Sequence, residues 1–147
     1  MREHGPNYVP RRGDVTCEVC GYLYRRSRSN ALLQVCPRCD PLKSREKMRI
    51  YQHNNKAKRI RNEVGDLTLE QWLVTLDHFE WKCAYCREEP YEALEHFYPG
   101  GSTTQSNCVP ACINCNNAKG PHTFRFFLYR NLSQETIDRV EEFLNRF

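Results

Sequence analysis

The stretch LEHFYPGGS, Leu94 to Ser102, lies between two Cys-x-x-Cys pairs, CAYC at residues 83–86 and CINC at residues 112–115. Four thiolates paired in this way can close around one tetrahedral zinc ion. The 25 residues between Cys86 and Cys112 are more than a simple zinc ribbon needs. A Glu-His pair, a proline and two glycines placed there raise the question of whether this unit also performs chemistry.

The residues on either side of this stretch predict a hairpin followed by a helix. ALEHFYP is long enough for a short strand that ends at His96, GGSTTQSN is rich in turn residues, and CVPAC leads back to the metal site. The residues NNAK after Cys115 have the composition of a helix start. A hairpin and helix pinned by zinc would bring His96, Asn107 and Asn116 to one side.

Two amphipathic helices are predicted around this unit. In TLEQWLVTLDHFEW, Thr68 can cap the helix and Gln71 completes a capping box. Its apolar residues recur at helical spacing and predict a buried face: Leu69, Trp72, Leu73, Leu76 and Phe79. In SQETIDRVEEFLNRF, Ser133 can cap, and the predicted buried face is Ile137, Val140, Leu144 and Phe147. The aromatic segment TFRFFLYR before it can add another helical turn or two.

A second set of cysteines lies near the start of the chain. CEVC and CPRC are separated by fifteen residues, and the segment YLYRR between them can form a strand. This spacing predicts a zinc ribbon with four ligands: Cys17, Cys20, Cys36 and Cys39. The second predicted zinc site has the ligands Cys83, Cys86, Cys112 and Cys115. The ninth cysteine, Cys108, is expected to be buried as a small apolar residue.

Positive charge is concentrated between these two units. The net charge is +4, but residues 43–62 contain eight Lys or Arg and one Glu, so the remaining 127 residues carry −3. Such a cluster suits phosphate groups. The segment is predicted either as a solvated helix or linker or as a helix lying on nucleic acid, and one segment can serve both purposes. The candidate nucleic-acid contacts are Arg25, Arg26, Arg28, Arg45, Lys47, Arg49, Lys56, Lys58, Arg59, Arg61 and Lys119.

Composition and patterning also predict domain organisation and compartment. We expect a loose arm at 1–13, a zinc ribbon at 14–42, a basic linker or helix at 43–66, and a larger domain at 67–147. No apolar run has membrane-spanning length, and the first residues lack the apolar core of a secretion signal. We therefore expect reduced thiols in an intracellular, cytoplasmic protein.

The motif residues together resemble the HNH endonucleases, which are ββα-metal nucleases. The resemblance covers roughly residues 67–120, including the capped helix, and several fixed residue types fall in order within two correctly spaced Cys pairs. It rests on Leu94, Glu95, His96 and Pro99, then Gly100, Gly101 and Asn107, then Cys112, Cys115, Asn116, Lys119 and Gly120. It implies a small α+β fold in which a zinc-stapled HNH domain follows a zinc ribbon and a basic linker or helix.

The resemblance also implies a role for each site residue. His96 matches the general base that activates water, and Asn107 matches the residue that braces the loop and helps to hold the His ring. Glu95 and Asn116 match the ligands of a catalytic divalent cation, Mg²⁺ or Mn²⁺. The two zinc ions would be structural, because four thiolates leave zinc no open position.

This chain departs from the family pattern at two positions. Gly100 directly follows Pro99, which shortens the hairpin loop. The last motif position is Asn116 instead of His, a variant that favours an oxygen-liganded ion such as Mg²⁺.

Two functions from different classes fit these features. The first is a divalent-metal-dependent endonuclease that cuts double-stranded DNA at specific sites, of restriction, phage or mobile-element type, and that can act as a homodimer. A four-Cys ribbon ahead of a four-Cys HNH unit resembles the layout of small rare-cutting restriction enzymes. The second is a non-catalytic double-zinc module that binds nucleic acid. That module would account for the cysteines and the basic segment but not for the positions of Glu95, His96, Asn107 and Asn116.

Overall fold

A computed structural model of the protein describes residues 12–25, 35–60, 64–119 and 133–147. These residues form two separate two-stranded antiparallel sheets and four helices. The elements in chain order are β1 (Asp14–Thr16), β2 (Leu23–Arg25), α1 (Ser44–Arg59), α2 (Leu69–His78), β3 (Ala93–His96), β4 (Cys108–Ala111), α3 (Ile113–Lys119) and α4 (Gln134–Leu144). The small α+β class is thereby confirmed, and the β3-β4-α3 order is consistent with the expected HNH fold.

The first cysteine group closes a small ribbon. β1 pairs with β2 in a register that places Val15 opposite Tyr24. The turn between the two strands contains Gly21 at φ 72°, a left-handed conformation that glycine adopts without strain. Tyr22 and Tyr24 are buried with Cys17 and Cys36, so the ribbon has a small core of its own.

The basic segment forms α1, and this helix packs against α2 and β3. Glu46 in its first turn is fully buried and accepts a hydrogen bond from the Tyr91 hydroxyl. Ile50 packs against a core cluster that includes Trp72 and Leu94. Both predictions for this segment placed it on the outside of the protein. In the structure, one face of α1 packs against the core.

Helix α2 has the predicted capping box. The Gln71 N–H donates to the Thr68 hydroxyl at 3.2 Å, and the Thr68 N–H donates to the Gln71 side chain at 2.9 Å. Trp72 and Leu76 are fully buried on the predicted face. These residues anchor the helix beneath the hairpin that carries the predicted site.

The hairpin of β3 and β4 and the helix α3 follow the predicted path. β3 ends at His96, which lies opposite Cys108 in the antiparallel register. Cys108 is fully buried, as predicted, and burial raises the pKa of its thiol to about 12. Helix α3 begins directly after Cys112, so the second cysteine group fixes the helix to the base of the hairpin.

Helix α4 covers the second cysteine group, and one part of its predicted buried face is wrong. Ile137, Val140 and Leu144 are buried as expected, but Phe147 is 54% exposed. The helix ends at Leu144, so Phe147 lies beyond the helical spacing, and Phe143 takes the buried place instead. The segment TFRFFLYR lies outside the described residues. Among the helices of the described ranges, none combines the length and apolar character needed to cross a membrane.

Candidate active site and metal centres

Both predicted cysteine groups come together in space. In each group the four Sγ atoms lie within 4.8 Å of one another, and all the cysteines are free thiols. The Cys20 and Cys36 sulfur atoms are 3.7 Å apart. A tetrahedral zinc ion with Zn–S bonds of about 2.3 Å separates its sulfur ligands by roughly 3.8 Å. The donor type and the spacing therefore fit one zinc ion in each group.

His96 lies at the end of β3 and is half-buried. Its Nε2 atom is 3.0 Å from the Thr103 hydroxyl oxygen. When Nε2 donates its proton to that oxygen, the unprotonated nitrogen that can accept a proton is Nδ1. Burial lowers the pKa of His96, and the positive charges of Lys119 and Lys56 lower it further. The ring is therefore held in the neutral form that a general base requires.

Thr103 is itself fixed by the chain that connects α1 to α2. Its carbonyl oxygen accepts a hydrogen bond from the Leu67 N–H at 3.1 Å, and the side chain is 1% exposed. A Cβ atom at Gly65 would lie 1.8 Å from the Thr103 carbonyl oxygen, so only glycine permits this approach. The residue beside His96 is thus held by a segment well upstream of the motif.

A second imidazole lies beside His96. The rings of His53, on α1, and His96 have centroids 5.2 Å apart and are inclined by 58°. Burial, with the charges of His96, Lys56 and Arg49, lowers the pKa of His53 to about 4. A hydrogen bond from the ring to the Leu94 backbone opposes this decrease. His53 is therefore neutral at neutral pH and tied to the strand that carries His96.

Glu95 points away from His96 because successive side chains of a strand face opposite sides. Its side chain is buried, and it accepts hydrogen bonds from the Tyr85 hydroxyl and from Lys119, whose Nζ atom is 2.5 Å from Oε1. The Lys119 Nζ atom also donates to the His96 carbonyl oxygen at 2.8 Å. Burial raises the pKa of Glu95, and Lys119 and Tyr85 act in the opposite direction. Lys119, a predicted phosphate contact, is only 4% exposed, and its hydrogen bonds join α3 to β3.

Asn107 holds the shortened loop after His96. Its Oδ1 atom accepts from the Tyr98 N–H at 2.8 Å, and its Nδ2 atom donates to the carbonyls of Tyr98 and Ser102. A Cβ atom at Gly101 would lie 2.5 Å from Nδ2, so a larger residue there would displace the Asn107 side chain. The His96 ring is hydrogen-bonded to the Thr103 hydroxyl. Asn107 braces the loop, and Thr103 contacts the ring.

The fit of a catalytic cation depends on Glu95 and Asn116. Asn116 is half-buried in α3, and its N–H donates to the Cys112 carbonyl at 2.9 Å. The carboxylate of Glu95 is bonded to Lys119 and Tyr85, so in this arrangement it is not offered to an ion beside His96. The Glu95–Asn116 ligand pair does not fit a cation as it stands, and its role in binding one stays a prediction.

The candidate nucleic-acid contacts on α1 fall into two groups. Arg45 and Arg49 are half-buried, and the Arg49 guanidinium lies 4.9 Å from the centre of the Tyr91 ring. The exposed members are Lys47, Lys56, Lys58 and Arg59. The side chain of Arg25 and the whole of Arg26, Arg28 and Arg61 lie outside the described residues.

Four residues of the site carry no motif signal that singles them out: Thr103, His53, Gly65 and Tyr85. Thr103 is one of several hydroxyl residues in a turn-rich loop, and His53 is a lone histidine in a basic run. The helical period of α1 places Asn54 and His53 one turn after Ile50, which the sequence marks as apolar. That spacing is the signal that could have suggested an inward face.

A comparison with known proteins relates the chain to a nuclease family. The chain is 32% identical over 132 residues to the "SPbeta prophage-derived putative HNH endonuclease YoqL" of Bacillus subtilis (strain 168). The match covers 72% of this chain and 56% of that relative. No protein-family model matches the chain, and no solved structure matches it. The relative confirms the resemblance to the HNH endonucleases.

Proposed function

We propose that this chain, a relative of an HNH endonuclease, is a divalent-metal-dependent endonuclease that hydrolyses DNA phosphodiester bonds with His96 as the general base. The placement of His96 carries the proposal. The ring is half-buried with a lowered pKa, and when Nε2 donates to the Thr103 hydroxyl, Nδ1 is left to take a proton from water. A neutral imidazole with this restraint is suited to activate water near neutral pH.

The proposed divalent cation would supply positive charge at the phosphate oxygens. We keep Glu95 and Asn116 as its predicted protein ligands, and Mg²⁺ or Mn²⁺ as the predicted ion. Binding at Glu95 would require its carboxylate to leave Lys119 and Tyr85. Asn107 is assigned the role of holding the loop between the strands, consistent with its three hydrogen bonds to that loop.

The proposed substrate is double-stranded DNA, and the exposed charges of α1 support it. Lys47, Lys56, Lys58 and Arg59 lie on the solvent side of a helix that packs against the site strand. Such residues bind phosphates without reading sequence, so we assign site selection to the ribbon and its arginines. A restriction, phage or mobile-element role, a cytoplasmic location and a homodimer that cuts both strands remain parts of this proposal. The prophage origin in the relative's name favours the phage option.

The experiment is cleavage of a supercoiled plasmid with and without Mg²⁺, using the zinc-loaded full chain and His96→Ala. We expect nicking or linearisation that requires Mg²⁺. The substitution should slow it by about 100- to 10,000-fold, the usual contribution of a general base. The dissociation constant for a DNA duplex, measured by fluorescence anisotropy without Mg²⁺, should change less than about twofold, because His96 makes no charge contact in this proposal.

His78→Ala is the matched control for that experiment. His78 is an exposed histidine on α2 that stacks on Phe143, with ring centroids 4.1 Å apart. We expect it to cut at the rate of the unmodified chain. Equal cleavage rates for His96→Ala and the unmodified chain would refute the assignment of His96. Absence of cleavage by the unmodified chain with both Mg²⁺ and Mn²⁺ would refute nuclease function altogether.

The second candidate is the non-catalytic zinc module that binds nucleic acid. The engagement of Glu95 by Lys119 and Tyr85 favours it, because a carboxylate committed to the interior leaves the site without its predicted acidic ligand. This candidate predicts duplex binding of normal strength and no cleavage with Mg²⁺ or Mn²⁺.

A further inference from the structure

Helix α1 forms one wall of the His96 site, although it lies outside residues 67–120. Its position is fixed by several contacts. Ile50 packs in the core cluster beneath the hairpin, and the Asn54 side chain accepts a hydrogen bond from the Gly65 N–H at 3.2 Å. Gly65 in turn touches the Thr103 backbone. The helix, the connection after it and the loop that contacts His96 therefore form one packed unit.

Within this wall, His53 is the residue that meets His96. The two rings are 5.2 Å apart between centroids, a distance at which aromatic groups are in contact. The hydrogen bond between the His53 ring and Leu94 joins it to β3 two residues before His96. His96 therefore has the Thr103 hydroxyl at Nε2 and the His53 ring beside it.

A general base needs such restraint because the rotation that orients an imidazole is soft. The second side-chain torsion of histidine has broad wells, so one hydrogen bond leaves the ring plane loosely defined. A misplacement of about 1 Å in a catalytic group can reduce the rate by about 100-fold. A neighbouring ring on a helix that packs against the same strand limits this rotation.

We propose that His53 is a positioning residue of the catalytic centre. Through His53, helix α1 completes this centre by holding the His96 ring at its working angle. The inference rests on the proposed nuclease function, and it identifies the basic helix as part of the active site as well as a DNA contact. The competing interpretation is that His53 only packs α1 against the hairpin.

Three substitutions separate these interpretations in the zinc-loaded full chain. His53→Ala removes both the ring and the hydrogen bond, His53→Phe keeps an aromatic ring beside His96, and His53→Gln keeps a donor for Leu94. Single-turnover cleavage with Mg²⁺ at increasing DNA concentration gives the maximal rate and the half-saturating concentration separately. We expect His53→Ala to lower the maximal rate by about 10- to 100-fold. The half-saturating concentration should stay within about twofold, and His53→Phe should recover part of the rate.

Met48→Ala is the control on the same helix, because Met48 is 51% exposed. We expect it to leave both kinetic parameters unchanged. Thermal unfolding of each variant is measured alongside, and if His53→Ala does not fold, His53→Phe and His53→Gln decide the result. A maximal rate that is higher in His53→Phe than in His53→Gln supports positioning by the ring.

A spectroscopic readout separates failure of this inference from failure of the proposed function. In ¹H–¹³C NMR spectra without Mg²⁺, the aromatic ring of His53 should shift the His96 ring signals, and His53→Ala should move them. An unmodified chain that cuts DNA, with His53→Ala cutting equally fast, would overturn this inference alone. Weaker DNA binding at an unchanged maximal rate would also overturn it. An unmodified chain that does not cut DNA with either Mg²⁺ or Mn²⁺ overturns the proposed function and the inference with it, even if the ring signals move as expected.

Discussion

The two cysteine groups share a ligand set and differ in what surrounds them. Among the described residues around the first group, the buried apolar cluster consists of Cys17, Tyr22, Tyr24 and Cys36, so half of it is predicted metal ligands. Around the second group, eleven buried residues form one cluster, to which α4 contributes Ile137, Val140, Phe143 and Leu144. From this difference we expect the ribbon to depend on a bound zinc ion for folding, and the second unit to use zinc mainly to fix a hairpin and helix that already share a core.

The largest expected effect comes from removing one thiolate from each group. Cys36→Ser and Cys112→Ser should each reduce the zinc content from two ions per chain to one, measured by elemental mass spectrometry. For Cys36→Ser we expect loss of amide protection across 14–25 with protection across 69–78 and 93–111 retained. For Cys112→Ser we expect a lower unfolding midpoint and no cleavage, because α3 begins at the lost ligand.

These two variants can break the comparison directly. Structural zinc contributes about 10–16 kcal/mol in small zinc-binding peptides, more than the two tyrosines buried among the described ribbon residues can replace. Ribbon amides that stay protected in Cys36→Ser would mean that the first unit folds without its metal, and the contrast between the two regions would be lost.

A smaller effect is expected from the buried ion pair of the second unit. Glu95→Ala leaves the Lys119 ammonium buried without its carboxylate, which should cost about 3–5 kcal/mol of unfolding free energy. The double variant Glu95→Gln/Lys119→Met should recover part of this loss, because the buried charge is then removed as well. The measurement is urea unfolding with zinc present and Mg²⁺ absent.

The control for the ion pair is on the surface of α4. The Arg146 and Glu142 side chains are 3.9 Å apart and largely exposed, so Glu142→Gln should change stability by less than about 0.5 kcal/mol. A Glu95→Ala variant as stable as this control would show that the ion pair of Glu95 with Lys119 does not stabilise the fold. That result would support the prediction that Glu95 binds the cation.

The smallest effect is expected at the buried carboxylate of the first region. Asp40 is 6% exposed and accepts hydrogen bonds from the Leu42 and Ser44 N–H groups at 3.0 and 3.1 Å, where the ribbon meets α1. Asp40→Ala should cost about 1–2 kcal/mol, since it removes two hydrogen bonds to backbone N–H groups without leaving a buried charge unpaired. The measurement is hydrogen exchange of the Ser44 amide, which reports fraying of the first turn of α1. The control is Asp66→Asn, at an exposed residue. A loss as large as that of Glu95→Ala would contradict the distinction between the two carboxylates.

Local features of the sequence predicted much of the fold. The capping box of Thr68 and Gln71 depends on residues three apart, and the strand that ends at His96 depends on a short apolar run, so both could be read directly. The prediction for Phe147 was wrong because helical spacing says nothing about where a helix ends. The predicted cation ligands stay untested, since the side on which Glu95 finds its partners depends on Lys119, 24 residues away.

The sequence by itself determined the two cysteine groups and the hairpin between the second pair, because metal ligands two residues apart and alternating strand residues are local patterns. Only the tertiary structure decided that α1 packs inward and that His53 and Thr103 reach His96. Those contacts join residues separated by 43 and 7 positions, and they depend on helix packing and on the close approach at Gly65. No local pattern encodes such contacts, because they exist only after the apolar faces of α1 and α2 have packed together.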